Sequence, residues 1–420
     1  MSRVFVTGIG IISAVGSTLM ENRSALAAGR SGISFAATLS SRYAGVLPCG
    51  SIGTSTDEWR EQFRIDHPGI TRTTLLALHA FSDAIADAGL SDVSLRDPRV
   101  ALVGATTVGG MCLTDELYRD TTRSCDNSPY LSSYDCASVH LFLQSRYGMT
   151  GLGTTINTAC SSSANAIQYG ARLIRNGLAT TVIAGGADSL AKFTINGFHA
   201  LQILSPKPCR PFDRDRSGLN LGEGAAFLVL EGEEVLAGKE AAGGRAGGKE
   251  TAGGRAAGRA GGKPIYAELT GYCNTNDAFH PSALSLTGDG PFLAMQGALQ
   301  SAGLKPADID FINTHGTATE NNDEAEGRAM LRVFGELPPF ASTKSYTGHT
   351  LGAAGAIEAV YSILSIRHQE LYASLNFAEP IEDMGIRPVQ VFRQHAVRHV
   401  MSNSFGFGGN CTSLIFSNVN

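Results

Sequence analysis

Two successive series of short β-branched runs alternating with alanine-rich stretches constrain this chain more than any other feature of its sequence. In the first, apolar runs at 3–7, 100–104, 180–184 and 226–230 alternate with stretches that include 73–88 and 163–174. Valine- and isoleucine-rich runs of this length suit strands, whereas long alanine-rich segments with apolar residues every three or four positions suit helices. The second series has strands at 266–270 and 309–313, helices at 291–302, 323–334 and 352–367, and a terminal strand at 414–417. Strands alternating with helices bury both faces of a sheet, so the predicted class is α/β, built as two similar halves. The expected division places residues 1–265 in an N-terminal half and 266–420 in a C-terminal half.

At 420 residues, 43% hydrophobic and 17% charged, the chain is long enough for two such lobes around a large core. Residues 237–263, near the junction, are almost entirely Ala, Gly, Lys, Arg and Glu in near repeats such as AGGRAGGKE. That composition buries too little apolar area to offset ordering entropy, and it predicts a flexible, solvated insertion. A formal charge of -5 argues against a nucleic-acid or membrane-surface protein. The apolar run after Arg3 is broken by Thr7, Gly8, Gly10 and Ser13 without a signal-cleavage pattern, and no stretch reads as a membrane span. Cysteines at positions 49, 112, 125, 136, 160, 209, 273 and 411 are dispersed like reduced thiols, so a cytoplasmic location is expected. Cys125, Cys136 and His140 lie eleven and four positions apart, without the short Cys-x-x-Cys pairs of structural zinc sites, and no metal site is expected.

Four stations carry chemistry. In NTACSSSANAI, Cys160 sits between an extended segment and an alanine-rich helix, where free N–H groups and the macrodipole favour a thiolate. A lone buried cysteine is more often inert core than nucleophile. The second station, FINTHGTAT, ends a strand in His315, and the third, STKSYTGHTLGAAG, sets Lys344 and His349 before a small-residue helix. Two histidines in glycine-flanked turns beside a cysteine shift the balance toward nucleophilic catalysis. The fourth, NSFGFGGN, is explained as a hairpin by its glycines alone, or it presents a backbone N–H toward the cysteine while an aromatic ring flanks an apolar channel. Gly8-x-Gly10 is a weak dinucleotide signal, since Ser13 stands at the third glycine position.

Taken in order, and with RVFVTGIGIISAVG, AGGADSL, RPFD and LGEGAAFLVLE, these stations resemble the β-ketoacyl-acyl-carrier-protein synthases, in particular the elongating type with a Cys-His-His triad. The resemblance covers nearly the whole chain and implies the thiolase fold, two α/β halves in five αβαβα layers. It implies that Cys160 accepts an acyl group from a carrier-protein thioester, and that His315 and His349 stabilise the enolate formed as malonyl carrier protein loses carbon dioxide. Lys344, paired with Glu358, would give electrostatic support, with Asp323 as a second acidic support. The backbone amides of Cys160 and Phe407 would form the oxyanion hole, Phe407 would be a gate and Val108 a wall of the acyl pocket. Lys207 and Arg210 would meet the acidic carrier protein. No cofactor is implied; the partners are acyl- and malonyl-loaded carrier protein and a second subunit, in a homodimer or a heterodimer with a related chain. The alternative is a silent chain-length-factor-like subunit, against which Cys160 and both histidines argue. A thiolase or chalcone-synthase-like enzyme would need a second cysteine or an asparagine where His349 stands. The departures are the 237–263 insertion and Glu320-Asn321-Asn322, where relatives often carry Pro or Gly, and they point toward a specialised pathway such as polyene synthesis.

Overall fold

The first apolar run folds as a strand longer than its β-branched core, β1 (Val4–Ser13), because its glycines are packing positions rather than breaks. It lies under α1 (Arg72–Ala88), and a Cβ at Gly10 would stand 1.9 Å from the carbonyl oxygen of Ala80. The Gly8-x-Gly10 pair therefore serves close strand-to-helix contact and not a phosphate turn. The computed structural model describes residues 2–35, 41–124, 128–242, 259–260 and 263–419.

The first half continues through β2 (Val100–Ala105), α2 (Ser138–Tyr147), β3 (Gly153–Ile156), α3 (Ser162–Arg175), β4 (Thr181–Asp188), α4 (Lys192–Ala200) and β5 (Gly224–Gly232). The second holds β6 (Ala267–Asn276), α5 (Asp289–Ala302), β7 (Phe311–Asn313), α6 (Glu320–Phe334), β8 (Phe340–Ala341), α7 (Ala354–His368), β9 (His399–Phe405) and β10 (Asn410–Ser417). Among the described residues these ten strands run in the order β8-β7-β9-β10-β6-β1-β5-β4-β2-β3. The halves repeat one plan. In each, the second strand is parallel to the third and fourth, the fourth is antiparallel to the fifth, and the fifth to the first. The short antiparallel β1–β6 pairing, Phe5 with Glu268 and Val6 with Ala267, joins them.

Helices α1 and α2 cover one outer face, α5 and α6 the other, and α3 and α7 lie between, each touching strands of both halves. This is the five-layered thiolase arrangement. Every residue of α7 from Ala354 to Ile366 is buried, so its small residues are required on all sides; Gly355, for example, approaches the Ala164 backbone of α3.

The strands β3, β8 and β9 were not read from the sequence. The insertion expected at 237–263 begins inside a helix, Glu233–Ala242, which corrects its start; most of the remainder lies outside the described residues. Cys125 also lies outside them. Cys136 is within 3.7 Å of the Asn157 carboxamide and the His140 ring is paired with Thr155, so both have protein partners.

Candidate active site

The repeat brings the site together. In each half the third strand leads into a central helix, so Cys160 precedes α3 as His349 precedes α7, and both turns face the same end of the molecule. His315 follows β7, and Phe407 lies between β9 and β10. The reactive atoms of Cys160, His315 and His349 all lie within 4.8 Å of one another, and all three residues are buried. The two imidazole rings are edge-on, 5.3 Å between centroids at 84°.

The turn before Cys160 is tight. Ala159 is left-handed at φ 53, and Ser162 Oγ receives the Thr158 N–H at 2.9 Å. Ser161 and Asn165 both donate to Asn410 Oδ1 at 2.8 Å, which ties this turn to the one carrying Phe407. At Gly406 a Cβ would stand 2.5 Å from the Thr158 carbonyl oxygen, so only glycine lets the strands approach. The Phe407 N–H bonds the Cys160 sulfur, and its ring stacks on Phe198 with 5.8 Å between centroids.

The thiolate expected from the helix start is not the resting species. Burial pushes the Cys160 thiol up to about 11, against the smaller opposing pull of Lys344 and the Phe407 N–H. Desolvation therefore outweighs the N-terminal position.

Burial lowers both histidines well below the usual imidazole range, and the nearby Lys344 ammonium lowers them further, so both are neutral. Lys344 Nζ donates to the His315 carbonyl at 2.6 Å and lies 3.3 Å from His315 Nδ1. An ammonium can only donate, which leaves Nδ1 as the acceptor and puts the ring proton on Nε2. The third partner of Lys344 is the buried Glu358 carboxylate. Neither ring nitrogen of His349 has a protein partner among the described residues. A buried imidazole without partners is costly, and here it marks a place for a substrate's polar atom.

A cavity of about 560 Å³ reaches Cys160, His315 and His349, walled by residues drawn from the segments 198–203, 216–219, 282–284, 317–322 and 405–407. Val108 does not line it; the side chain is buried in an adjoining cluster with Ile195, Leu219, Leu221 and Leu351. Asp323 touches neither histidine. It accepts the Phe212 N–H at 2.7 Å and the Ala318 N–H at 3.1 Å, holding two residues that are both left-handed, at φ 62 and 66. Lys207 is exposed, whereas Arg210 is partly engaged by Asp213 at 3.6 Å and the Asn376 carbonyl at 3.2 Å.

Three supports escaped the sequence reading. Glu326 accepts the backbone N–H groups of His315 and Gly316, each at 2.8 Å, and the Asn403 carboxamide at 3.2 Å. Burial pushes its carboxyl up to about 7. Its position three residues after Asp323, on the same helical face, was the available signal. Asp188 ends β4 and accepts the N–H groups of Thr107, Val108 and Gly352, linking the loop after β2 to the start of α7. Arg216 donates to the carbonyls of Thr319 at 3.3 Å and Glu320 at 3.0 Å.

Comparison with known proteins agrees with this geometry. Residues 1–235 match the family described as beta-ketoacyl synthase, N-terminal domain, and 266–378 match its C-terminal domain. The 3-oxoacyl-acyl-carrier-protein synthase 2 of Vibrio cholerae is 32% identical over 99% of both chains. The ishigamide ketosynthase/chain length factor superposes with a TM-score of 0.88 at 29% identity, over 100% of both chains. AntDE:AntF, a type II polyketide acyl-carrier protein in complex with its ketosynthase, gives 0.84 at 26%, also over 100% of both. With one fold, one set of converging turns and a full-length match, this chain belongs to the β-ketoacyl synthase family.

Proposed function

We propose that the chain extends acyl groups by two carbons through decarboxylative Claisen condensation, in fatty-acid or polyene and polyketide-type elongation. The observation that carries this reading is one thiol and two neutral imidazoles converging at a cavity, one imidazole with neither nitrogen partnered among the described residues. In the first half-reaction Cys160 sulfur attacks the carbonyl of an acyl carrier-protein thioester. The new S–acyl bond forms, the carrier's C–S bond breaks, and the thiol proton passes to the leaving sulfur. Because burial holds Cys160 as a thiol, proton loss accompanies attack rather than preceding it.

Malonyl carrier protein then enters, and the ring N–H groups of His315 and His349 bond its thioester oxygen. The bond from the α-carbon to the carboxylate breaks, carbon dioxide leaves, and the electron pair becomes an enolate stabilised by those donors. Lys344, held by Glu358, keeps the His315 proton on Nε2. The enolate carbon bonds to the acyl carbonyl, whose oxyanion meets the amides of Cys160 and Phe407, and collapse expels the Cys160 thiolate, which recovers a proton.

In this reading Phe407 is the gate, Val108 backs the acyl pocket through its cluster, and Lys207 with Arg210 receives the carrier. Asp323 supports the site through the loop backbone. The halves divide at 265/266, the enzyme is cytoplasmic, it needs no metal or redox cofactor, and it pairs with an identical or related subunit. The ketosynthase/chain length factor and the carrier-protein complex among its relatives support these partners. A silent partner subunit would not need a complete cysteine and histidine pair. Intact-protein mass spectrometry with a panel of acyl carrier proteins, then malonyl carrier protein, tests the reading. An adduct on Cys160 that disappears as a β-ketoacyl product two carbons longer forms is expected; no adduct with any donor would refute it.

A further inference from the structure

One face of α6 reaches across to the backbone of the segment before α5. Asn321 Nδ2 donates to the Leu284 carbonyl at 3.0 Å, Arg328 to Leu286 at 2.8 Å and Arg332 to Thr287 at 2.7 Å. Asn321 differs from the two arginines in two ways. It lines the cavity, and its Oδ1 also accepts the Leu284 N–H at 2.8 Å, so its carboxamide grips one residue from both sides. Leu284 is 6% exposed and belongs to a small cluster with Ala325 and Phe405, whose ring lies 5.8 Å from that of His315. On its other side the same segment is held by the Gly408 N–H on the Pro281 carbonyl, 2.7 Å away, next to Phe407. Residues 282–284 are thus a cavity wall suspended between α6 and the Phe407 turn.

We propose that Asn321 is a positioning residue: its two-way clasp on Leu284 fixes the 282–284 wall and so sets how tightly the cavity holds the thioester arm of a carrier-borne substrate. This rests on the condensing activity proposed above. A truncated thioester lacks the arm that the wall would hold, so it should respond less to the clasp than a carrier-borne substrate does.

The test compares Asn321→Ala and Asn321→Asp with the unmodified enzyme. Amide exchange at Leu284 should quicken by about tenfold or more in Asn321→Ala, which loses both bonds, while Asn321→Asp keeps an acceptor for that N–H and most of its protection. KM for malonyl carrier protein should rise by about tenfold in Asn321→Ala, with a smaller change in kcat, and Asn321→Asp should recover part of it. Acylation of Cys160 by an N-acetylcysteamine thioester should change by no more than about twofold, well below the effect on the carrier-borne substrate. Unaltered Leu284 exchange overturns the proposal, and so does faster exchange without a KM effect, or an equal loss with the truncated donor. If the unmodified enzyme itself is never acylated, the condensing activity fails instead, and Leu284 exchange still decides whether the clasp exists.

Discussion

Replacing Lys344 with methionine keeps the length of a 2% exposed side chain and removes its charge, which separates the two things the lysine does. Lys344 neutralises Glu358 and fixes the His315 tautomer. An isolated buried carboxylate that stayed ionised would cost about 3–5 kcal/mol. Glu358 has an escape, because burial already pushes its carboxyl up to about 7 and Lys344 is what pulls it down. Without Lys344 the carboxyl rises further and binds a proton at neutral pH. A group whose folded pKa exceeds its unfolded value contributes stability present below the unfolded pKa and lost as pH rises through the folded one. The unmodified protein and the variant therefore lose stability together up to about pH 7; above it the unmodified protein levels off while the variant continues to fall. The slope is about 1.4 kcal/mol per pH unit, so the gap should widen by up to about 2 kcal/mol between about pH 7 and about pH 8.5. Equilibrium urea unfolding at the two pH values measures it. A gap that is the same at both would refute the account of Glu358 as a carboxyl restrained by Lys344. The same variant should lose malonyl decarboxylation more than Cys160 acylation, since only the former uses the His315 proton.

Because burial pushes the Cys160 thiol up to about 11, its alkylation by iodoacetamide should keep accelerating through about pH 9, and a plateau below about pH 8 would contradict a buried thiol. Glu326→Gln cannot accept from both the His315 and Gly316 N–H groups with equal effect; leaving one unsatisfied should cost about 1–3 kcal/mol in urea unfolding, and no change would show that water replaces the carboxylate. Gly406→Ala should push the Phe407 turn away from Cys160 and abolish condensation while leaving the secondary structure intact by circular dichroism; retained turnover would remove the Phe407 amide from the mechanism.

The strands and helices with strong periodicity were legible because each is buried on a face that its own residues specify. Val100–Ala105 and α1 were read nearly to their ends, whereas β8, two residues long, and β3, with no fully buried residue, carry too little local pattern. β9 was missed because HVMSNSF places Ser and Asn inside the core, where Asn403 is satisfied by Met295, Glu326 and Ser413 from other segments.

The sequence by itself determined the α/β class, the four chemical stations and, through their resemblance to a family, the identity of the cysteine and both histidines. These are local properties: residue type, turn chemistry and spacing along the chain. Only the tertiary structure decided the protonation of the site, because the desolvation that raises Cys160 and lowers His315 and His349 comes from walls contributed by both halves. It also decided which carboxylates matter and to what. Asp323 supports backbone rather than histidine, Glu326 carries the His315 turn, and Val108 stands behind the cavity, since each depends on which distant segment the repeated strand order sets beside it.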